Sequence, residues 1–157
     1  DNMIFTKYTL SLWHYIKNFN IVDSDRRFTK TPAENIQLAQ KNSERFPTLV
    51  FNKNQQCVAF FTLHFGEGVK PYTDNPNAIF FRSFSVDSEF RGRGVGKAVI
   101  ENLPAYIADT FPAVDEIYLT VNTDNEIALQ LYKKCDYCYV GDADLEGKPV
   151  HILKYTI

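Results

Sequence analysis

Several residue types are scarce in this chain, and each scarcity removes a class of function. Its 157 residues contain three histidines, His14, His64 and His151, and three cysteines, Cys57, Cys135 and Cys138. A structural zinc site draws on four such ligands at paired spacings, and Cys135-x-x-Cys138 has no second pair to close it, so no metal is expected. The pair also falls where a helix should end, whereas a redox pair of the thioredoxin type opens one. An odd number of cysteines argues for reduced thiols. The formal net charge is only −2, which gives a polyanion nothing to bind, so no nucleic acid partner is expected. No apolar run approaches the ~18 residues that a membrane helix needs, so no membrane partner is expected either. The opening Asp1-Asn2-Met3-Ile4-Phe5 lacks a basic stretch leading into an apolar one, and the expected location is therefore cytoplasmic. Glycine and proline number seven each, and no repeat, linker or low-complexity tract appears, so residues 1–157 read as a single domain.

What is plentiful is apolar and aromatic. Thirteen phenylalanines and nine tyrosines suit a strand-rich core or an aromatic-lined pocket, without choosing between them. Met3–Tyr8 reads as a strand, and Leu12, Trp13, Ile16 and Phe19 place an apolar stripe on a helix over Leu10–Phe19. Thr31-Pro32-x-Glu34 starts a second helix, with Thr31 and Glu34 spaced as a capping box, running to about Arg45. A strand follows through Leu49, Val50 and Phe51, then a hairpin turn at Asn52–Gln55 and a strand over Gln56–Phe65. Gly66–Asn77 is a loop. Ala78–Val86 is an apolar strand, and Val95, Val99, Leu103 and Ile107 mark a helix, which Pro104 should kink. Glu116–Val121 is a strand, Thr123-x-x-Glu126 is a second capping box, and its helix runs through Lys134. Tyr137–Gly141 and Pro149–Ile157 are strands, with a turn over the acidic Asp142–Lys148. The order β-α-α-β-β-β-α-β-α-β-β predicts an α/β (α+β mixed) fold. Its expected form is a central twisted mixed sheet of six to seven strands with helices on both faces.

The chemistry concentrates where the strand ending at Val86 passes into the helix starting at Val95. Arg91-Gly92-Arg93-Gly94-Val95-Gly96-Lys97 holds three glycines and three cations. Glycine lets backbone approach a ligand closely, and the first amides of a helix have no internal partner and favour anions. The turn reads as a phosphate cradle; the plain alternative is a glycine-rich surface turn with incidental cations. A Walker A loop needs Gly at position 91 and Ser or Thr at 98, where the chain has Arg91 and Ala98. A dinucleotide fingerprint needs a third glycine at Lys97 or Val99. What remains is Arg-x-x-Gly-x-Gly from Arg91 to Gly96.

With that motif behind a strand, the chain resembles the GNAT superfamily of acetyl-CoA-dependent N-acetyltransferases. The order of elements matches nearly throughout, and the specific motifs fall between about residues 78 and 140. The resemblance implies that backbone amides of this turn hold the pyrophosphate of coenzyme A, and that Phe84, Ser85 and Val86 hold the pantetheine and polarise the thioester carbonyl. A second match is Asn125-x-x-Ala128-x-x-Leu131-Tyr132, whose Asn125, Ala128 and Tyr132 share a helix face. By resemblance Asn125 contacts the pantetheine and Tyr132 is the catalytic acid for the departing thiolate. Otherwise Asn125 satisfies a helix start and Tyr132 packs in the core. Where the family has Gly-Phe after this helix, the chain has Asp136-Tyr137, and Asp can take the left-handed conformation needed there.

The attacking amine must be neutral, so a base or a water chain must take its proton. His64, Glu67, Asp74 and Glu89 are candidates by position. Five carboxylates in Asp23-Ser24-Asp25-Arg26-Arg27 and Asp142–Glu146 suggest a polycation such as a polyamine, or are ordinary charged turns. Phe80, Arg82 and Phe84 share a strand face by alternation and either line an acceptor pocket or belong to the core. The expected activity is acetyl transfer to a small-molecule primary amine. A protein N-terminus or lysine is the alternative acceptor, and a non-catalytic acyl-CoA sensor the alternative class. The family resemblance leans towards a homodimer.

Overall fold

The computed structural model describes residues 3–21 and 29–157. In chain order the elements are β1 (Ile4–Lys7), α1 (Trp13–Lys17), α2 (Pro32–Ala39), β2 (Arg45–Phe51), β3 (Cys57–His64), β4 (Ala78–Val86), α3 (Val95–Thr110), β5 (Glu116–Asn122), α4 (Glu126–Lys134), β6 (Cys138–Leu145) and β7 (Lys148–Thr156). The strands form one mixed seven-stranded sheet in the order β1-β2-β3-β4-β5-β7-β6. β4 and β5 run parallel, with Ala78, Ile79 and Phe80 opposite Glu116, Ile117 and Tyr118. β1, β2 and β3 pair antiparallel, as do β5 and β7, and β7 and β6.

The chain divides into two compact units, Asp1–His64 with Phe81–Val99, and Phe65–Phe80 with Ile100–Ile157. In the first, Leu49 and Phe60 on the sheet meet Ile16 of α1 and Ile36 of α2. An aromatic row, Phe5–Phe61–Phe81–Phe84, packs with centroids 5.1–5.5 Å apart, edge-on for Phe5 and Phe61 and tilted for the other two pairs. In the second, Val69, Ala78, Phe80 and Tyr118 cluster, and Tyr72 stacks on Phe80 at 4.9 Å. Leu103 and Ile107 of α3 are fully buried, as the four-residue spacing predicts.

The capping box at α2 forms: the Glu34 amide donates to Thr31 Oγ1 at 3.1 Å, and the Thr31 amide donates to Glu34 Oε1 at 2.8 Å. α2 stops at Ala39, however, six residues before the expected end. Asn42 explains this, because its Oδ1 accepts the Glu44 amide and its carbonyl accepts the Arg45 amide, which turns the chain out of the helix. β2 therefore starts at Arg45 and carries Pro47 within it. The first helix is also shorter than expected, a 3-10 turn at Leu10–Leu12 followed by α1. The capping box at Thr123 and Glu126 does not form, since α4 begins at Glu126 with Asn125 as its N-cap. Asn is a better cap than Thr, and the Asn125 amide is already turned back onto the Asn122 carbonyl at 2.9 Å. The acidic stretch after Gly141 is strand, and only Glu146-Gly147 turns, both with positive φ (53° and 83°), the geometry of a tight hairpin. α3 runs through Pro104 without a break.

Candidate active site

β4 carries the chain towards the turn. At its end the Asp87 amide donates to the Val58 carbonyl, and the Ser88 amide to the Asn20 carbonyl, both at 2.9 Å. Asp87 is buried, and its carboxylate accepts the amides of Asn20 (2.9 Å) and Glu89 (3.0 Å). That carboxylate fixes where the strand ends and a short 3-10 turn, Ser88–Phe90, begins.

Next comes Arg91–Gly94, with Gly92 and Gly94 at φ of +75° and +78°, a region closed to most side chains. The first hydrogen bond of α3 runs from the Ala98 amide to the Gly94 carbonyl at 3.1 Å. Among the described residues, no amide from Gly92 to Lys97 makes a well-formed hydrogen bond to protein. A Cβ added at Gly92, Gly94 or Gly96 would meet nothing within 4 Å. Gly96 is informative because it lies inside the helix, where glycine is unfavourable, and no neighbouring atom requires it. Val95 is buried and anchors the helix start. Arg91, Arg93 and Lys97 are exposed, and the Arg93 guanidinium lies 5.5 Å over the Phe90 ring. Open amides, a helix N-terminus and cations around a glycine turn fit a diphosphate.

β4 departs from simple alternation. Ser83 sits mid-strand at φ 56°, so the side chains after it change face. Phe84 consequently packs on Phe81, at 5.4 Å, and the expected face of Phe80, Arg82 and Phe84 does not exist. Ser85 is buried and its hydroxyl has no partner. Arg82 Nη1 lies 3.2 Å from His64 Nδ1. Val86 is half-buried at the strand end.

In the second unit, Asn125 caps α4, its Oδ1 accepting the Ala128 amide at 3.1 Å, which leaves the Nδ2 donors over. The helix ends through Asp136 at φ 71°, the left-handed turn expected where the family has glycine. Tyr132 is half-buried, with its ring edge-on to Tyr137 at 5.5 Å, and Tyr137 packs on Tyr155 at 5.3 Å. Desolvation, then Cys135, pushes the Tyr132 phenol well above the usual tyrosine range, so its proton is firmly held at neutral pH. Among the described residues, the Tyr137 hydroxyl beside it is buried with no hydrogen-bond partner.

The candidate bases separate clearly. His64 is buried, and desolvation followed by the charges of Arg45 and Arg82 depresses its pKa to about 4, too low for a useful base at neutral pH. Glu67 is an exposed partner of Lys70 at 2.7 Å, and that bond holds its carboxyl below the usual range. Asp74 and Glu89 are exposed. Of the acidic stretches, Asp23 and Asp25 lie outside the described residues. Asp142 is paired with His151 at 2.6 Å, and Asp144 accepts the Gly147 amide. All three cysteines are free thiols, and burial pushes Cys57 up to about 12. No helix among the described residues is long and apolar enough to cross a membrane. Sequence reasoning missed Asp87, Arg45 and the Ser83 kink, none of which has a motif.

A mixed sheet whose central strand enters a helix through a turn of open amides has the geometry to accept an anion at the helix start. The model of the acetyltransferase (GNAT) family matches residues 13–137. The chain is 34% identical over 127 residues to the uncharacterized N-acetyltransferase YbbJ of Bacillus subtilis, covering 80% of this chain and 79% of that one. It is 28% identical over 80 residues to the spermine/spermidine N(1)-acetyltransferase of the same species, about half of each protein. Among solved structures, the spermidine N-acetyltransferase from Vibrio cholerae in complex with CoA and spermine superposes with a TM-score of 0.75 at 16% identity, covering 98% of this chain and 95% of that one. AAC(6')-Ib in complex with ribostamycin and coenzyme A gives 0.76 at 15% identity, over 99% and 94%. The chain belongs to the GNAT acetyltransferase family and is an acetyl-CoA-dependent acyltransferase.

Proposed function

We propose that the chain transfers acetyl from acetyl-CoA to the primary amine of a small molecule. The observation that carries this is the run of amides from Gly92 to Lys97 that have no partner among the described residues, beside three glycines with free space around them. These amides, with Arg91, Arg93 and Lys97, are the donors for the pyrophosphate. Backbone of Phe84, Ser85 and Val86 and the spare Nδ2 donors of Asn125 are assigned to the pantetheine arm. Acetyl-CoA supplies an acyl group already activated as a thioester.

The protein's own tasks are then to hold a neutral amine and to supply a proton to the departing sulfur. Tyr132 is assigned the second task. Its phenol keeps its proton at neutral pH, as an acid for the thiolate requires. His64 is not the base, because at about 4 its pKa lies far below that of any amine. A water chain is left to carry the proton away. The polyamine-like acceptor draws its support from the relatives named for spermine and spermidine, one of which aligns over half the chain.

The test is calorimetry and a thermal melt with acetyl-CoA, followed by thiol release across an amine panel. A ligand at 100 times its Kd stabilises by about 2.7 kcal/mol. Melting that is unmoved by saturating acetyl-CoA would sink the reading. Binding without thiol release from any amine would leave a sensor instead.

A further inference from the structure

One buried carboxylate lies behind the glycine turn and is not among the groups assigned to acetyl-CoA. Asp87 follows the last residue of β4 and is 6% exposed. Its two oxygens are divided between two stretches of chain. Oδ2 accepts the amide of Asn20, 67 residues away in sequence, at 2.9 Å, and Oδ1 accepts the amide of Glu89 at 3.0 Å. The main chain of the same residue makes two more bonds. Its amide donates to the Val58 carbonyl of β3, and its carbonyl accepts the Phe90 amide, both at 2.9 Å. The Asn20 carbonyl in turn accepts the Ser88 amide at 2.9 Å, so residue 20 is bonded through both its main-chain groups to residues 87 and 88.

These bonds join three pieces of the first unit: the start of β3, the chain beyond α1 and the 3-10 turn of Ser88–Phe90. That turn leads directly into Arg91, and its Phe90 ring carries the Arg93 guanidinium at 5.5 Å. The amides from Gly92 to Lys97, by contrast, have no bond to protein among the described residues to orient them. Their direction is set from the ends of the turn, by α3 on one side and by the Asp87 junction on the other. Amides stabilise an oxyanion strongly only when they already point at it. A carboxylate suits the junction because it only accepts, with one oxygen for each N–H. An asparagine offers a single oxygen and would set its own NH2 against the second amide. A serine keeps the cap of the 3-10 turn and gives up the bond to Asn20.

We infer that Asp87 is a positioning residue for acetyl-CoA: by clamping Asn20 and Glu89 it sets the direction in which the Gly92–Lys97 amides and the Arg93 guanidinium meet the diphosphate. This rests on the acetyltransferase reading, and extends it from the groups that hold the cofactor to the group that aims them. Asp87 itself touches no ligand; it acts through the backbone of the turn.

The seven glycines give a direct readout, since three lie in the turn and Gly66, Gly68, Gly141 and Gly147 lie outside it. With glycine labelled with nitrogen-15, coenzyme A is titrated into the full chain, into Asp87→Asn and into Asp87→Ser, with melting temperature confirming that at least one variant is folded. In the unsubstituted protein the amide resonances of Gly92, Gly94 and Gly96 should shift saturably. In a folded variant the same three should be displaced before any ligand is added, with the other four unmoved, and Kd for coenzyme A should rise at least ~10-fold. A role in stability alone would lower the melting temperature and leave the turn resonances and Kd of the folded protein as they were. A Kd within twofold of the unsubstituted protein, or displacement spread evenly over all seven glycines, overturns the inference. If coenzyme A moves no glycine of the turn in the unsubstituted protein, the acetyltransferase reading fails, while the ligand-free spectra of the variants still decide whether Asp87 sets the turn.

Discussion

Gly96→Ala separates the ligand from the fold more cleanly than any other change in the cradle. Gly96 lies in the first turn of α3 without positive φ, and an added Cβ would meet no atom within 4 Å. Alanine is favoured over glycine in a helix interior by about 0.5–1 kcal/mol. For a chain of this size 1 kcal/mol moves Tm by roughly 2–4 °C, so the variant should melt about 1–4 °C higher. If the amides around Gly96 grip a diphosphate at close range, the methyl group obstructs that approach. Loss of one charge-assisted hydrogen bond is worth ~1.5–3 kcal/mol, so Kd for acetyl-CoA should rise at least tenfold. Calorimetry and a thermal melt on one preparation read both quantities. The protein should become more stable and bind less. A raised Tm with Kd unchanged within twofold would refute the backbone grip. Gly94→Ala cannot make the same point, because φ of +78° strains any Cβ there and would lower stability and binding together.

Four further outcomes follow from named contacts. Tyr132→Phe should lower kcat by ~10²-fold or more while leaving the Kd of acetyl-CoA nearly unchanged; unaltered thiol release would remove its role as acid. Asn35→Ala should destabilise by about 2–3 kcal/mol in urea titration. Fully buried Asn35 accepts from Thr62 Oγ1 and donates to the Thr31 carbonyl; the carbonyl keeps the Asn35 amide in the variant, but the buried Thr62 hydroxyl is left unpaired. Thr31→Ala removes the α2 cap and should cost about 1 kcal/mol in the same assay. His64 has a folded pKa depressed to about 4 by burial and by Arg45 and Arg82, so the unfolded chain binds more protons between pH 6.5 and 4. The His64 contribution is present above about pH 6.5 and declines as pH falls through that window, by at most ~1.4 kcal/mol per pH unit. His64→Gln should flatten the stability profile there, and an unaltered slope would show that another group titrates.

Much of the fold was legible because local signals agreed. The four-residue apolar spacing from Val95 found α3, and Thr31-Pro32-x-Glu34 found the start of α2. The apolar run over 78–86 found β4 to the residue. Failures fell where two short-range signals competed. Thr123 and Asn125 both suit a cap, and spacing cannot rank them; the turn onto Asn122 decides for Asn125. The acidic residues after Gly141 look like a loop, but they lie on β6, an edge strand with little burial, where polar side chains cost nothing. The turn from Arg91 to Gly96 was visible because backbone that needs positive φ or open space shows itself through glycine spacing. Arg45 was not, because it meets His64 only through the pairing of β2 with β3.

Ser83 ties these observations together. A serine at φ 56° within a strand costs on the order of 1 kcal/mol, and a glycine there would remove the strain. Its effect is to shift the phase of β4, so that Phe84 joins Phe81 in the aromatic row while Arg82 stays with His64. Without the shift, strict alternation would put Phe84 on the face of Arg82 and bring Ser85 to that of Phe81. The strand instead places Phe84 against Phe81 and leaves the buried Ser85 hydroxyl unpartnered within the segment assigned to the pantetheine arm. Ser83→Gly should therefore keep the phase and gain stability, whereas Ser83→Val, β-branched and unsuited to positive φ, should force the alternating register. If Ser83→Val leaves both melting temperature and acetyl-CoA affinity as they were, the kink plays no part in building the site.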